Sequence, residues 1–269
     1  MKSIVFLLLV TTTLLSVACS RKLSSSPGNT PGSLKIMSYN VHHCNPPDKE
    51  NVIDVNAIAE VIKKEQPDIV ALQEIDVNTH RSGNINEAAL LAEKTGYRSF
   101  HFAKAIDFDG GQYGVMILSR YALDDTKVYA LPTDESTNGE HRVLATGVVN
   151  LPSGGKLLFG CTHLDALQTD VNRRLQIKEI VKIADSTTMP FVIAGDFNAT
   201  EGSDVINSLD SRFTRTCKQC LPTLNEENVK HAIDFISFKP GNSFMVESHK
   251  VLRDANTSDH YAVSVVLKF

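Results

Sequence analysis

Cysteine, proline and glycine are all sparse in this chain of 269 residues, at five, ten and fifteen. So few cysteines exclude a disulfide-dense scaffold, and the low glycine and proline content excludes a collagen-like or low-complexity chain. Beyond the extreme N-terminus no apolar run approaches the roughly 20 residues that span a bilayer. A basic excess is also missing. Residues 1–18 hold one base and no acid, so the remainder carries 26 bases against 31 acids, a formal charge of −5. Proteins that live on duplex DNA draw much of their affinity from neutralised phosphates. This balance therefore favours a small or isolated phosphorylated substrate over a long duplex. With 42% hydrophobic and 22% charged residues, the chain has the make-up of one large globular domain or two small ones.

The first eighteen residues read as an address. Lys2, the apolar stretch 4–10 and the small residues before Cys19 describe a secretory signal peptide, and Thr11, Thr12 and Thr13 interrupt the run too early for a membrane anchor. Ser16-Val17-Ala18 suits ordinary cleavage, whereas Ala18-Cys19 resembles a bacterial lipobox whose leucine sits one position too far upstream. The expected outcome is an exported lipoprotein facing the periplasm or the exterior, tied to a membrane only through a lipid on Cys19. Plain secretion is the alternative. Residues 19–33, rich in Ser, Pro and Gly, read as a tether, which leaves one domain over 34–269. Cys217 and Cys220 have the spacing of a redox or half-zinc motif, but no second pair accompanies them. A structural role is expected, as a short loop disulfide or as two free thiols.

From Leu34 onward short apolar runs alternate with amphipathic stretches. Leu34 to Tyr39, Ile69 to Leu72, Gly114 to Ser119, Phe191 to Ala194, Ala232 to Phe238 and Tyr261 to Phe269 are predicted strands. Val55, Ile58, Ala59 and Ile62 fall on one face of a predicted helix, with Asp54 as its N-cap. Asn86 to Thr95 is a second helix ended by Gly96, and Ile177, Ile180, Val181 and Ala184 mark a third. Leu144 to Leu151 and Lys156 to Thr162 flank Ser153-Gly154-Gly155, a hairpin turn. Hairpins among helices argue for mixed sheets with helices packed outside, not for a purely parallel doubly wound sheet.

Polar residues gather at the ends of those strands. Asn40 follows the first, Gln73-Glu74 the second, Thr162-His163 ends the hairpin, and Gly195-Asp196-Phe197-Asn198 follows Phe191 to Ala194. Asp234 stands inside an apolar strand, and Ser258-Asp259-His260 opens the last one. Each adjoins apolar sequence, where an unpaired charge is costly. Carboxylates and amides with no cysteine among them suit a hard cation, Mg²⁺ or Mn²⁺. Taken singly, each segment is as well explained as a strand cap, an Asx turn or a hydrogen-bonded core histidine.

The set, in order, resembles the endonuclease/exonuclease/phosphatase superfamily of deoxyribonuclease-like metal-dependent phosphoesterases. The matching stretches are Met37-Ser38-Tyr39-Asn40-Val41, residues 67–74 and 113–120, Thr162-His163-Leu164, Gly195-Asp196-Phe197-Asn198, Ile233-Asp234-Phe235-Ile236 and Ser258-Asp259-His260. The resemblance implies an α/β (α+β) fold, a four-layer sandwich of two packed mixed sheets flanked by helices. It implies metal-assisted attack of water on a phosphate ester. Glu74 would be the main metal ligand, with Asn40 and Asp259 beside the ion. Asp196 would orient and deprotonate the water, Asn198 would hold the phosphate, and His260 and His163 would donate to its oxygens, with Asp234 holding the His260 ring. Arg142 resembles an arginine that some members aim at phosphate, although a surface arginine explains it nearly as well. Arg173 and Gln176 are expected to support the His163 loop.

Thr162-His163-Leu164 is similar to secreted nuclease, sphingomyelinase and inositol-phosphatase branches, not to the abasic-site repair branch. The expected substrate is accordingly a phosphorylated small molecule, a lipid headgroup or a nucleic acid, handled by a monomer. Residues 78–83 and 106–111 are expected to line its side of the site. Two other readings compete: a secreted nuclease degrading DNA or RNA, and an inactive lipoprotein that only binds phosphorylated ligands.

Overall fold

Alternating side chains sort the interior strands into layers. In β1 (Ser33–Asn40), Leu34 and Ile36 pack into one core and Met37 and Tyr39 into another. The computed structural model describes residues 32–241, 244–253 and 255–269; the signal-peptide reading and all of the tether except Gly32 and Ser33 lie outside them. Ser33 is the first residue of β1 and not tether, because its strand pairs with the C-terminal one, Ser33 opposite Lys268.

The elements that follow are α1 (Val55–Glu65), β2 (Ile69–Val77), α2 (Glu87–Thr95), β3 (Ser99–Phe108), β4 (Gly111–Ser119), β5 (Leu123–Ala130), β6 (Val143–Asn150), β7 (Lys156–His163), α3 (Val171–Asp185), β8 (Phe191–Asp196), α4 (Asp204–Asp210), β9 (Thr214–Arg215), β10 (Asp234–Phe238), β11 (Met245–Leu252) and β12 (Ala262–Lys268). They build two six-stranded sheets, in the orders β11-β12-β1-β2-β4-β3 and β5-β6-β7-β8-β10-β9. Both sheets are mixed, with one parallel pair each, β1 with β2 and β7 with β8, among antiparallel neighbours.

Three apolar clusters fix the stacking. Ile36, Ile69 and Ala71 of the first sheet meet Ala145, Phe159 and Val192 of the second in a central core. Val55, Ile58, Ile62 and Leu91 of α1 and α2 cover the outer face of the first sheet. Ile177, Ile180, Val205 and Leu209 of α3 and α4 cover that of the second. The result is helix, sheet, sheet, helix, the expected four layers. Asp54 caps α1 by accepting from Ala57 N at 3.0 Å, and Gly96 ends α2 with φ 72°. Val181 is only half-buried, and Ile183 takes its place on the apolar face of α3. Cys217 and Cys220 form a disulfide, while Cys44 and Cys161 are buried free thiols.

Candidate active site

The two parallel pairs end at the same rim. In one, Asn40 sits opposite Gln73, next to Glu74; in the other, His163 sits opposite Asp196. Asp234 is the antiparallel neighbour of Asp196 on β10, and Ser258-Asp259-His260 leads into β12. Close approach of β7 and β8 depends on Gly195, where a Cβ would stand 2.1 Å from Thr162 O.

Glu74 is aimed by a local break in the sheet. The pairing of β2 with β4 slips between Leu72 and Ile75, and Glu74 takes φ 60°. That left-handed backbone costs a non-glycine residue about 1 kcal/mol or more, and the bulge turns its side chain to the rim. Asn40 is buried and donates from Nδ2 to Glu74 Oε1 at 3.0 Å and to Asp196 Oδ2 at 3.1 Å. Burial works to raise the Glu74 carboxyl. The His43 ring, Asn40 and the charged His260 outweigh it and hold the group well below the usual carboxylate range.

Asp196 is the common neighbour. Its Oδ1 accepts from Asn198 N at 2.8 Å, and its Oδ2 lies 3.6 Å from His163 Nε2 and 3.7 Å from His260 Nε2. Burial and then the Asp234 carboxylate push it up to about 7, against the pull of His260. His260 Nδ1 is 2.9 Å from Asp234 Oδ2. Burial opposes its charge, but Asp234, Asp196 and Asp259 raise it to about 10. His163 has the opposite surroundings, with Arg142 Nη1 3.2 Å from its Nδ1 and Asn198 Nδ2 3.0 Å from its Nε2. Burial and the guanidinium hold it neutral, well below its ordinary value.

The structure brings Asn40, Glu74, His163, Asp196, Asn198, Asp234 and His260 together at this rim, with Arg142 behind His163. Arg142 is buried, so the surface-arginine alternative is excluded; it pairs with Glu140 at 2.9 Å. Arg173 donates to the carbonyls of Asp165 and Leu167, and Gln176 accepts from Asp165 N, so both brace the loop after His163. Asp259 is half-buried, and Ser258 Oγ joins it to the network at 3.3 Å while donating to Asn40 O at 2.7 Å. Residues 78–83 and 106–111 hold each other, Arg81 N donating to Asp109 Oδ2 at 2.6 Å, with the Arg81 guanidinium gripped by Asp76 and lying 4.5 Å over Phe108. Two neighbours carry no sequence signal. Thr223 Oγ1 accepts from Ile233 N and Asp234 N, and His43 Nδ1 comes 3.9 Å from Glu74 Oε2. Both depend on long-range folding of loops.

Two places gather donors for a cation. Asp196, Asp234 and His260 bring ligand atoms within 4.8 Å of one another. There, however, His260 is held charged between carboxylates, whereas ligation takes a neutral ring. Glu74 fits better, being held ionised, with an Oε2 whose 3.9 Å approach to the His43 ring is longer than a hydrogen bond. As placed, Asn40 turns its amide nitrogen to Glu74 and Asp196 and spends Oδ1 on His42 N at 3.1 Å, so it stands beside such an ion through these hydrogen bonds and not through its oxygen.

A family model described as the Endonuclease/Exonuclease/phosphatase family matches residues 37–260. Among solved structures, an endonuclease/exonuclease/phosphatase from Beutenbergia cavernae is similar at 25% identity and TM-score 0.76, over 88% of this chain and 72% of that one. A mannosyl-6-phosphatase from Bacteroides thetaiotaomicron has the same fold at 19% identity and TM-score 0.73, over 88% of this chain and 100% of that one. So does the human Nocturnin catalytic domain with bound sulfate, at 20% identity and TM-score 0.69, over 89% and 94%.

Proposed function

The chain belongs to the endonuclease/exonuclease/phosphatase family, and from that premise we propose that it is an exported phosphoesterase that uses Mg²⁺ or Mn²⁺ to hydrolyse a small phosphate mono- or diester with water. Members of the family hydrolyse phosphate esters and generally depend on a divalent metal. One observation carries the proposal. A single buried carboxylate oxygen, Asp196 Oδ2, has Asn40 Nδ2 at 3.1 Å, His163 Nε2 at 3.6 Å and His260 Nε2 at 3.7 Å, each from a different strand end.

That arrangement divides the labour. Asp196, raised toward neutrality, is matched to taking a proton from water near pH 7. His260, kept charged by Asp234, donates to the phosphate as charge builds on it, and neutral His163 supplies an uncharged donor from the other side. Asn198, which donates from Nδ2 to Leu164 O at 3.0 Å, keeps that side rigid. Arg142 adds positive field behind His163. A cation on Glu74 and Asp259, with Asn40 beside it, would neutralise charge on the phosphate oxygens. Export is supported by the N-terminal address and by the Cys217–Cys220 disulfide, which suits an oxidising compartment.

The test is a substrate panel on purified protein: inositol phosphates, sugar phosphates, simple diesters, sphingomyelin, DNA and RNA, each with Mg²⁺ or Mn²⁺ and after chelation. Turnover of a small ester, lost on chelation and in Asp196→Asn, is expected. Preference for DNA or RNA would install the nuclease reading, and binding without turnover on any member would install the inactive binder.

A further inference from the structure

We propose that His43 is a nitrogen ligand of the cation held at Glu74, and that it biases the site toward a borderline transition ion such as Mn²⁺ over Mg²⁺. The inference rests on Glu74 being the carboxylate that holds the ion.

His43 Nδ1 is a buried atom that makes no hydrogen bond among the described residues. It stops 3.9 Å from Glu74 Oε2, too far for a hydrogen bond. Two ligands of one ion, each about 2.0–2.2 Å from it, span such a separation without contact.

The ring is placed there by the fold. His42, His43 and Cys44 form a single turn with φ 47°, 40° and 55°, a conformation that L-residues avoid. Val41 N donates to Gln73 O at 3.1 Å before the turn, and Asp54 N donates to Cys44 O at 2.7 Å after it, with the Cys44 side chain fully buried. His42 spends its Nδ1 on Asn45 O at 3.0 Å, and it is His43 that turns a ring nitrogen toward Glu74. Strain on both sides of one gap, at His43 and at Glu74, is the pattern of backbone held for a ligand. An imidazole added to oxygen donors favours first-row transition ions, because Mg²⁺ is a hard cation that prefers oxygen.

The decisive variant is His43→Gly. Glycine accepts φ 40° without penalty, so this change removes the ring while keeping or strengthening the turn. Calorimetric titration of the full chain with Mn²⁺ and with Mg²⁺, and ¹⁴N coupling in the pulsed EPR of bound Mn²⁺, read the outcome. His43→Gly should melt no lower than the wild type, lose at least about tenfold in Mn²⁺ affinity, and lose one ¹⁴N coupling, with Mg²⁺ affinity changed less than about threefold. His42→Ala should keep the coupling. An unaltered ¹⁴N signal, or equal losses for the two ions, overturns the assignment. If Glu74→Gln binds both ions like the wild type, the metal reading beneath it fails as well. If Glu74→Gln weakens both while His43→Gly weakens neither, only the histidine is wrong.

Discussion

His163 and His260 stand almost equally far from one carboxylate oxygen, 3.6 and 3.7 Å from Asp196 Oδ2, yet the protein holds them in opposite states. Behind His163 is a cation, Arg142 on the approach to β6; behind His260 is an anion, Asp234 on β10. Both rings are buried, so desolvation disfavours charge on each. The neighbour on the far side decides. Asp234 overcomes desolvation and keeps His260 charged, whereas Arg142 adds to it and keeps His163 neutral. Distance to the shared carboxylate therefore says little about protonation. For His260 the second contact reverses what burial imposes, and for His163 it adds to it.

The most disruptive change removes the shared partner. Asp196→Asn keeps size and hydrogen bonding but cannot take a proton, so kcat should fall by about 10²–10⁴-fold with KM little altered. Wild-type kcat in this variant would show that the water is activated elsewhere. Next, Asp234→Asn takes away the anion behind His260. The His260 pKa should drop from about 10 toward or below its ordinary value, read by NMR titration of the imidazole. Turnover should fall at least about tenfold, because the charged donor is lost at neutral pH. An unmoved His260 titration would refute the opposition drawn between the two rings. Arg142→Met tests the other side: with the cation gone His163 should titrate higher, while kcat/KM drops about tenfold or less from lost field at the phosphate.

How much of this was legible beforehand follows the same division between centre and edge. The strands marked by apolar runs, among them Leu34 to Tyr39, Ile69 to Leu72 and Phe191 to Ala194, are interior strands, buried on both faces. β3, β11, β5 and β9 are the four sheet edges, and none carries such a run; β5, Leu-Asp-Asp-Thr-Lys-Val-Tyr-Ala, is exposed at most positions. Edge strands are polar so that they do not pair with other chains, and that protection hides them from a hydrophobic pattern. The site was legible because its residues ride on the interior strands. The bulge at Glu74, the left-handed turn at His43 and the Thr223 anchor were not, since each is decided by chain that is distant or strained.

A smaller effect comes from a carboxyl that forms no ion pair among the described residues. Glu87 is buried at the start of α2, accepts from Asp76 N at 2.9 Å, and leaves Oε1 without a partner among the described residues. Burial and the nearby Asp76 charge raise it from 4.5 to about 8. A raised carboxyl binds its proton more tightly in the folded state, so its contribution is complete below about pH 4.5 and is lost as pH rises through about 8. Glu87→Gln should remove that loss. At pH 8 the variant should be more stable than the wild type, by on the order of a few kcal/mol at most, and the advantage should vanish near pH 4.5. Parallel pH profiles for the two proteins in urea unfolding would rule it out.

The least effect is expected from the disulfide, and it probes whether the His260 side is held from a distance. Cys217 and Cys220 precede Thr223, whose Oγ1 holds the Asp234 backbone at 3.2 Å. Replacing both cysteines with serine opens a loop of only four residues, for which chain entropy predicts a loss of about 2 kcal/mol, or roughly 4–8 °C in Tm for a domain of this size. Thr223 has anchors of its own, accepting from Ile233 N at 3.1 Å and from Tyr261 N at 2.6 Å. Asp234 and His260 should therefore keep their alignment once the covalent link is gone. Turnover should stay within about twofold of wild type, and the His260 titration should not move. A lower His260 pKa in the folded double variant would mean that the disulfide, through Thr223, positions the carboxylate that keeps this ring charged. The contrast with His163 would then depend on a covalent bond outside the site.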